Sequence, residues 1–525
     1  MRFIDGVETL AELPEVVART HADKDAVIVG EQRLTYAQLV GASRDAARAL
    51  QADGVGAGDR VCALGKGAVE SVVLMFAAAK LGACYVPISS RLAPPEVAYV
   101  LGHAGPKVLF VEAAFASLLE RALDGVEQRP RIVSTGQASG AESFDSFCGA
   151  SDGSPLTRAS APDADAVVVM LYTSGTTGHP KAVRLSSRSL LALGWALRDA
   201  GDGWFGWDEH MVSMVSQPSF HIGGVWWLTQ GLAQGCTNVL LRGFEPSEVL
   251  PTIERHRVAT TCMAPAMMRL LLLEPGCATT DFSSLRTIAY GGSTCPTDLL
   301  QQAMQVFGCG FCNAYGMTET GNVVVSLRPD EHRQQDPQRL KSVGKPLPGV
   351  EVRILGEDGA EVPPGATGEL TVRSRTNMVD YWRQPEATSA TVVDGWLKTG
   401  DAGYRDDEGY LYVSDRIRDM IICAGEKVFP AEIESAIRTH PDVSDAAVVG
   451  IPDRLWGEAV HALVVATADS RPKPLEIVRH VRGQVAAFKV PKSVELVDEL
   501  PRNASGKILR RELRRPYWAG HDRLI

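Results

Sequence analysis

The sequence lacks the features that mark membrane, secreted and nucleic-acid-binding proteins. No apolar run along its 525 residues is long enough to cross a membrane, and the opening MRFIDGVETL has no apolar core like that of a secretion signal. Ten cysteines show no dense framework, which favours reduced thiols over disulfides. Against 63 acidic residues there are only 53 lysines and arginines, and no basic cluster. We therefore expect a soluble cytoplasmic protein that does not bind nucleic acid.

Two of the cysteines have the spacing of a metal or redox motif. Cys309 and Cys312 form a CxxC inside the apolar stretch VFGCGFCNAYG, and no second pair accompanies them. A structural zinc site usually takes four ligands, and reactive cysteines usually lie in a more exposed setting. We interpret both residues as packing positions of a strand.

What remains is the composition of a globular protein with more than one core, 45% hydrophobic and 22% charged. Between Val61 and about residue 325, apolar strand-like runs alternate with helical stretches, as in layered α/β sheets. One of these helical stretches, PTDLLQQAMQVFG, is predicted to be a helix with Thr294 as its cap, Pro296 near its first turn and Gly308 as the left-handed residue at its end. Short β-rich pieces between residues 342 and 412 indicate a small barrel or distorted sheet. After Asp415 the alternation resumes on a smaller scale, which indicates a compact α+β domain. We expect an N-terminal domain over 1–417 and a C-terminal domain over 418–525.

One loop dominates the functional interpretation. Residues 171–183 are LYTSGTTGHPKAV, and they overlap the end of AVVVMLY, an apolar β-branched run typical of a buried strand. Hydroxyls, glycines and a lysine together suit phosphate oxygens, which need donors, backbone freedom and positive charge. The spacing differs from GxxxxGK[ST], so a Walker-type hydrolase is disfavoured, and a polar surface turn is the alternative. The candidate phosphate-binding residues are Thr173, Ser174, Gly175, Thr176, Thr177, Gly178 and Lys181.

The loop resembles the phosphate-binding signature of the adenylate-forming ligase superfamily, which contains acyl-CoA synthetases, luciferases and peptide-synthetase adenylation domains. Later segments resemble the further signatures of that family in the same order, so the resemblance covers most of the chain. It implies a large N-terminal domain of layered α/β sheets with a small barrel-like part, and a smaller mobile α+β C-terminal domain. It also implies that a carboxylate displaces pyrophosphate from ATP and forms an acyl-AMP. The later segments are NAYGMTET (313–320), WLKTGD (396–401), DRIRD (415–419) and PRNASGKILRR (501–511). The first of them is expected to follow a strand.

The same resemblance assigns contacts to the nucleotide. Tyr315 is expected to stack on adenine, and Asn313 to meet its polar edge. Thr318 is expected to donate to the α-phosphate and Glu319 to hold Mg²⁺, which prefers carboxylate and phosphate oxygens. Taken alone, the Thr-Glu pair is explained by a helix cap with a first-turn glutamate. The small residues expected to leave room for adenine and the acyl group are Gly291, Gly292, Ser293 and Gly316, although a strand-to-helix turn explains the first three equally well.

The last signatures supply ribose contacts, a hinge and a lysine. By the resemblance, Asp401 and Arg416 bind the ribose hydroxyls, with a surface salt bridge as the alternative for Arg416. Arg418 matches the hinge of the C-terminal domain, a position that is commonly Asp or Lys. Lys507 matches the lysine that reaches the reacting carboxylate and the α-phosphate, where its charge offsets the repulsion between two anions. A solvated basic tail is the alternative for Lys507.

Transfer of the acyl group to a thiol needs a second arrangement, which the family reaches by rotating its C-terminal domain. Gly425, in the turn CAGEKVFPAEIE, matches the glycine that keeps the pantetheine tunnel open. Ala424 and Ala182 stand where glycine is frequent in the family. Neither change forbids activity.

The acid is expected to be apolar or aromatic. In the segment PSFHIGGVWW, Phe220 and His221 stand where amino-acid-activating members usually carry an aspartate, so nothing would compensate a buried ammonium. His221, Gly292 and Gly316 are the candidate acyl pocket, although packing at a strand end is an alternative for His221. The two tryptophans of this segment are assigned to core packing by default.

These observations favour an ATP-dependent acid–CoA ligase that uses ATP, Mg²⁺ and CoA, and a homodimer is a further expectation. The first alternative has the same fold and another acceptor, for example a carrier protein, or adenylates a small oxyacid such as nitrite. The second is a nucleotide-binding module without catalysis, against which Lys507 and Glu319 argue. The third, a kinase or hydrolase acting at the γ-phosphate, would release ADP rather than AMP.

Overall fold

The protein is described by a computed structural model that covers residues 5–136, 142–150, 154–156, 163–173, 180–293, 295, 297–334, 336, 338–356, 358–416, 421–428, 430–468, 470–501, 508 and 510–519. Four sheets organise these residues. Sheets of nine and seven strands form the large N-terminal part, a five-stranded sheet follows, and a second five-stranded sheet forms the C-terminal part. This mixed α/β architecture, with a large and a smaller domain, confirms the predicted fold class.

The strands are β1 (Asp25–Val29), β2 (Gln32–Thr35), β3 (Arg60–Gly65), β4 (Cys84–Ser89), β5 (Val108–Glu112), β6 (Arg131–Thr135), β7 (Val167–Thr173), β8 (Lys181–Ser186), β9 (Val212–Val215), β10 (Thr237–Leu240), β11 (Thr260–Met263), β12 (Thr287–Gly291), β13 (Gly310–Met317), β14 (Asn322–Ser326), β15 (Lys345–Pro346), β16 (Val350–Leu355), β17 (Gly368–Ser374), β18 (Asp380–Tyr381), β19 (Val392–Val393), β20 (Trp396–Arg405), β21 (Leu411–Arg416), β22 (Ile421–Cys423), β23 (Glu426–Val428), β24 (Val443–Asp453), β25 (Gly457–Ala466) and β26 (Ser493–Leu496).

The α-helices are α1 (Leu13–His21), α2 (Tyr36–Ala52), α3 (Val69–Lys80), α4 (Pro94–Ala104), α5 (Ala116–Leu123), α6 (Phe144–Gly149), α7 (Ser187–Asp199), α8 (Ile222–Ala233), α9 (Pro246–His256), α10 (Pro265–Leu273), α11 (Thr297–Phe307), α12 (Pro329–Arg333), α13 (Pro385–Thr391), α14 (Pro430–Arg438), α15 (Pro474–Arg482) and α16 (Arg510–Trp518). Among the described helices, none combines the length and the apolar character that a membrane span requires.

The two large sheets share one hydrophobic core. The nine-stranded sheet has the order β15-β14-β13-β12-β11-β9-β10-β1-β2, and the seven-stranded sheet has the order β18-β8-β7-β4-β3-β5-β6. Helix α3 contacts strands of both sheets, and one cluster of buried side chains includes residues from both. The chain segments that follow β9, β12 and β13 therefore leave a packed, rigid scaffold.

The two smaller sheets are predominantly antiparallel. Strands β16, β17, β20 and β19 pair in that order, and β21 also pairs with β20, which confirms the distorted sheet predicted after residue 342. In the C-terminal part, β23, β22, β25 and β24 pair in order, and β26 joins β25 in parallel. Helices α14 and α15 cover this sheet with a separate apolar core.

Short sequence signals locate several of these elements. The run VLFVE is β5, and the β-branched run before the candidate phosphate loop is β7. Helix α7 begins after Ser186, whose side chain accepts a hydrogen bond from the Ser189 backbone. Gly308 follows α11 with φ of 60°, the left-handed conformation predicted for the end of that helix. Thr294 and Pro296, expected at its start, lie outside the described residues.

Two predictions need correction. The NAYGMTET segment was expected to follow a strand, but residues 313–317 are the second half of β13, and only Thr318–Thr320 form a following 3₁₀ turn. The strand and helix alternation also begins before Val61, because β1 and β2 join the edge of the nine-stranded sheet.

The cysteines have a packing role in this structure. All ten are free, and Cys312 lies on β13, fully buried. Burial raises the pKa of its thiol to about 12, so the thiol stays protonated near neutrality. Among the described residues, no group of three or more His, Cys, Asp or Glu side chains is arranged for a metal ion. The domain boundary at 417 and 418 lies outside the described residues and stays a prediction.

Candidate active site

The candidate phosphate loop connects two hydrogen-bonded strands. Thr173 ends β7, Lys181 begins β8, and the two residues are cross-strand partners. The Thr173 hydroxyl donates to the Lys181 carbonyl over 3.4 Å. The hairpin therefore fixes both ends of the loop at the sheet. Five of the predicted phosphate contacts lie outside the described residues: Ser174, Gly175, Thr176, Thr177 and Gly178.

A tyrosine joins this hairpin to the Thr-Glu motif. The Lys181 ammonium nitrogen lies 4.6 Å from the centroid of the Tyr381 ring. The Tyr381 hydroxyl donates to Glu319 Oε1 over 2.8 Å. Glu319 and Thr318 are buried, each with 6% of its surface exposed. The predicted phosphate-binding lysine and the predicted metal ligand thus both contact the side chain of Tyr381.

Sequence reasoning missed Tyr381. It belongs to β18, a strand of two residues that pairs with β8 and is fixed by an ion pair between Asp380 and Arg184. A two-residue strand leaves no periodic signal, so its pairing with a strand almost 200 positions earlier follows only from the fold.

Glycines at the ends of β12 and β13 have two different structural reasons. A Cβ atom on Gly291 would lie 2.1 Å from the Ala314 carbonyl oxygen, and one on Gly316 would lie 1.5 Å from the Asn322 oxygen. Backbone crowding therefore demands these two glycines, before any ligand is considered. Gly292 has φ of 81° and open space where a side chain would stand, which makes it the better candidate for a ligand-facing position. Ser293 follows it directly.

One side-chain oxygen on β13 lacks a hydrogen-bond partner among the described residues. It is the Oδ1 atom of Asn313, which is buried. A buried acceptor without a donor costs about 1–3 kcal/mol, so such an atom calls for an explanation such as a ligand or a water. The exocyclic amino group of adenine is a donor that fits it.

The predicted adenine and ribose residues are in contact. The Tyr315 hydroxyl donates to Asp401 Oδ2 over 2.9 Å, so the end of β13 meets β20. Asp401 is the cross-strand partner of Arg416 in β21, but the Arg416 side chain lies outside the described residues. Arg418 and Lys507 are also outside them, so the structure does not place the predicted hinge or the predicted catalytic lysine.

Metal binding at this site would depend on Glu319. It is one carboxylate, and Mg²⁺ commonly combines one or two carboxylates with phosphate oxygens and water. The residues present therefore fit a magnesium ion that arrives with a nucleotide.

On the acyl side, His221 is the N-cap residue of α8. Its Nδ1 atom accepts from the Gly223 backbone over 3.4 Å, and the side chain is half-buried. The helix that His221 caps contributes Gly224, Val225 and Leu228 to a cavity with a mainly apolar lining, although His221 itself does not line it. The two tryptophans, Trp226 and Trp227, are buried in an aromatic cluster and line the core rather than this cavity.

The turn between β22 and β23 rests on the large domain. Ala424 and Gly425 have positive φ values of 51° and 82°. A Cβ atom on Gly425 would lie 3.1 Å from the Cβ atom of Ala264, which directly precedes α10. One residue later, Glu426 forms an ion pair with Arg91 of the large domain, at 2.8 Å. The predicted thiol-tunnel glycine is therefore in contact with the domain that carries the nucleotide residues.

Comparison with known families gives these contacts a context. The AMP-binding enzyme family matches residues 14–382, and the AMP-binding enzyme C-terminal domain matches residues 432–507. The chain belongs to the AMP-binding enzyme family. This membership confirms the predicted superfamily and the prediction of an enzyme of the AMP-forming ligase class.

Relatives of this AMP-binding enzyme cover nearly its whole length. Fatty acid–[acyl-carrier-protein] ligase ScoC of Streptomyces coeruleorubidus is 40% identical over 519 residues, which are 99% of this chain and 98% of that protein. The amide bond synthetase McbA from Marinactinospora thermotolerans is 32% identical, with a TM-score of 0.87 over 97% of this chain and 99% of that one.

A third relative has two solved states. The o-succinylbenzoate CoA synthetase MenE from Bacillus subtilis, as a double mutant bound with the product analogue OSB-NCoA, gives a TM-score of 0.83 at 31% identity, over 96% of this chain and 98% of that one. The same enzyme in complex with the acyl-adenylate OSB-AMP gives 0.68 at 31% identity, over 96% and 97%. Since identity and coverage are nearly equal, the arrangement of this AMP-binding enzyme is more similar to the state with the CoA product analogue.

Proposed function

We propose that this AMP-binding enzyme is an ATP-dependent carboxylic acid–CoA ligase. It forms an acyl-AMP and pyrophosphate from an apolar acid and ATP, and then forms acyl-CoA and AMP. The single observation that carries the nucleotide part is the unpaired, buried Oδ1 atom of Asn313, which lies two residues before Tyr315 on β13. Tyr315 in turn contacts Asp401, the proposed ribose ligand.

The groups around the phosphates supply charge and position. Lys181 offers a positive charge held by the Tyr381 ring, and Glu319 offers a carboxylate whose second oxygen is free of that tyrosine bond. Magnesium bound there would neutralise charge on the leaving pyrophosphate. Thr318 is assigned to the α-phosphate, and Lys507 to the attacking carboxylate. Donors fixed at these positions before the reaction would keep reorganisation small as charge develops.

Acyl transfer is assigned to the part of the site that includes the turn between β22 and β23. Gly425 would line the path of the acceptor thiol, and Arg418 would be the hinge that brings it there. The thiol sulfur attacks the acyl carbonyl, AMP leaves with the electron pair of the broken C–O bond, and the thiol proton goes to solvent. An apolar acid is supported by the mainly apolar cavity that α8 helps to line.

A carrier-protein acceptor is the second candidate. It is favoured by the 40% identity with ScoC, whose name specifies a fatty acid and an acyl-carrier protein. The name of MenE specifies CoA and that of McbA an amide bond, so relatives of similar structure differ in their acceptors. Both candidates share the first half-reaction.

Pyrophosphate exchange with a panel of fatty and aromatic acids tests the first half-reaction. We expect ATP-dependent exchange with apolar acids and none with α-amino acids, and AMP rather than ADP as the product. Exchange undetectable with every acid, or release of ADP, would refute the ligase proposal.

The acceptor is tested separately. AMP release is measured with the best acid in the presence of CoA, of a phosphopantetheine-loaded carrier protein, or of neither. Stimulation by CoA supports the main proposal, and stimulation by the carrier protein alone supports the second candidate. A homodimer remains part of the proposal, and light scattering of the purified protein tests it.

A further inference from the structure

A buried cluster of three charged side chains bridges the two domains. The Lys489 ammonium nitrogen lies 2.7 Å from Glu96 Oε1 and 2.7 Å from Glu432 Oε1. The side chains of Lys489, Glu96 and Glu432 are only 4%, 9% and 10% exposed. Burial lowers the pKa of Lys489, but the two carboxylates outweigh it and hold that pKa above its usual value. The lysine is therefore charged in this arrangement.

The three residues come from different parts of the fold. Glu96 lies in the first turn of α4 in the large domain, and its other oxygen accepts from the Ala93 backbone over 2.8 Å, which fixes its position. Glu432 lies in the first turn of α14, and Lys489 ends the short 3₁₀ helix Ala487–Lys489. Both belong to the C-terminal part. The cluster is complete only when the domains are docked as they are here.

Docking at this cluster coincides with docking of the glycine turn. Arg91, five residues before Glu96, pairs with Glu426, and Gly425 rests on Ala264. The arrangement that forms these contacts is also the one similar to MenE with its CoA product analogue, at a TM-score of 0.83 against 0.68 for the acyl-adenylate complex. The family rotates its C-terminal domain between the two half-reactions, and such a rotation would separate Lys489 and Glu432 from Glu96.

The electrostatics favour a role in selecting the arrangement. Lys489 keeps Glu432 as a partner when Glu96 is lost, so the loss is one buried, charge-assisted hydrogen bond across the domain interface, worth about 1.5–3 kcal/mol. The exposed Arg91–Glu426 pair is expected to contribute less, since solvent screens it. Docking in another orientation loses the contact between Lys489 and Glu96.

We propose that Glu96, Glu432 and Lys489 form an interdomain latch that positions the C-terminal domain for the second half-reaction, the transfer of the acyl group from AMP to the acceptor. The latch rests on the proposed function. Its residues do not touch substrate; they act by holding the Gly425 turn in place.

The two half-reactions separate this role from a general structural one. In Glu96→Gln, we expect pyrophosphate exchange to stay within about twofold of the unmodified enzyme, while transfer from supplied octanoyl-AMP to CoA slows by about tenfold. Lys489→Met is expected to act in the same direction. The matched control is Glu351→Gln, which breaks an exposed carboxylate–arginine pair with Arg373 on the small sheet and should leave both rates unchanged. Equal loss of both half-reactions, or no loss in either, overturns the latch.

Hydrogen exchange gives a readout that does not depend on activity. In the unmodified protein without ligands, we expect protection of the backbone amides of α4 from Val97 onward and of α14 after its first turn, and faster exchange of both in Glu96→Gln at unchanged melting temperature. Unchanged protection overturns the proposal. If the ligase proposal fails, the unmodified enzyme will show no pyrophosphate exchange. The hydrogen-exchange measurement would still test the latch in that case.

Discussion

Among single side chains, Asn313 offers the sharpest test of nucleotide binding. If its Oδ1 atom accepts from adenine, Asn313→Ala removes one neutral hydrogen bond worth about 1 kcal/mol, and the KM for ATP should rise about fivefold. The matched control is Asn238→Ala, because Asn238 is also buried in the nine-stranded sheet with an unpaired Oδ1 atom. That variant should lower the melting temperature and leave the KM for ATP unchanged. An unchanged KM for ATP in Asn313→Ala would contradict the proposed contact between Asn313 and adenine.

Tyr381 separates two contributions to the phosphate site. Tyr381→Phe keeps the ring beside Lys181 but removes the hydrogen bond to Glu319, and such bonds to charged groups are worth about 1.5–3 kcal/mol. We expect pyrophosphate exchange to slow by about tenfold or more and the Mg²⁺ requirement to rise. Tyr381→Ala also removes the cation–π contact, worth about 0.5–2 kcal/mol, and should be slower still.

The control for Tyr381 is Tyr410→Phe, since Tyr410 also donates to a glutamate, Glu331, in a different part of the structure. It should change stability without changing the Mg²⁺ requirement. If both phenylalanine variants behave alike, Tyr381 has no special relation to the metal.

Residues were predictable where a motif carries them in sequence. Thr173, Lys181, Glu319, Asn313 and Asp401 were named from their motifs. The structure pairs Thr173 with Lys181 and links Lys181 to Glu319 through Tyr381, while the ligand contacts of all five stay predictions. Tyr381 and Lys489 lie in no motif that we used, and each acts through partners more than 50 positions away in the chain. Their positions depend on tertiary pairing, which one sequence does not reveal.

The ends of β12 and β13 predict a contrast between two glycine substitutions. Gly316→Ala places a Cβ atom 1.5 Å from the Asn322 oxygen and should destabilise the β13–β14 pair by about 3 kcal/mol. Gly292→Ala meets no neighbour but is strained by its positive φ, at about 1–2 kcal/mol. We therefore expect Gly316→Ala to fold poorly, and Gly292→Ala to fold with a raised KM for the acid.

Thermal denaturation and acid kinetics on both variants check this contrast. An unaltered KM for every acid in Gly292→Ala would contradict the prediction that Gly292 lines the acyl pocket. A Gly316→Ala protein as stable as the unmodified one would show that the strand pair can shift to admit a side chain.

Elements with strong local patterns were predictable, and short elements were not. The apolar β-branched runs of β5 and β7 and the capped helix α7 carry their own signals. Strand β18 has two residues, and the β13 strand runs further into NAYGMTET than its small, polar sequence suggests. In that strand, hydrogen bonding to β12 and β14 decides the conformation.

For the whole molecule, two domains and their order followed from changes in sequence texture, but their relative orientation did not. Orientation depends on contacts such as Glu96 with Lys489 and Gly425 with Ala264, which join residues far apart in the chain. The same motifs are compatible with more than one domain orientation, because each half-reaction in the family uses a different orientation. The sequence therefore indicates the reaction, whereas the relative orientation of the domains, which we propose to serve acyl transfer, comes from the structure.

The same cluster predicts that domain docking depends on pH. Burial, and then the nearby Glu96 carboxylate, raise the pKa of Glu432 to about 7, although Lys489 opposes the shift. A carboxyl whose pKa is raised on docking binds a proton more readily in the docked state. Docking is therefore most favourable below the ordinary carboxyl pKa, near 4.5, and is weakened as pH rises to about 7, by at most about 1.4 kcal/mol per pH unit. Above about pH 7, the free energy of docking no longer changes with the ionisation of Glu432.

The rate of acyl transfer from octanoyl-AMP to CoA, measured in the unmodified enzyme and in Glu96→Gln, tests this dependence. Ionisation of the CoA thiol affects both enzymes equally, so the informative quantity is the ratio of their rates. With Glu96 neutralised, Glu432 faces only Lys489 and should ionise at lower pH. The ratio of unmodified enzyme to variant is then expected to fall between pH 5 and about pH 7 and to level off above it. A ratio independent of pH would mean that docking takes up no proton at Glu432.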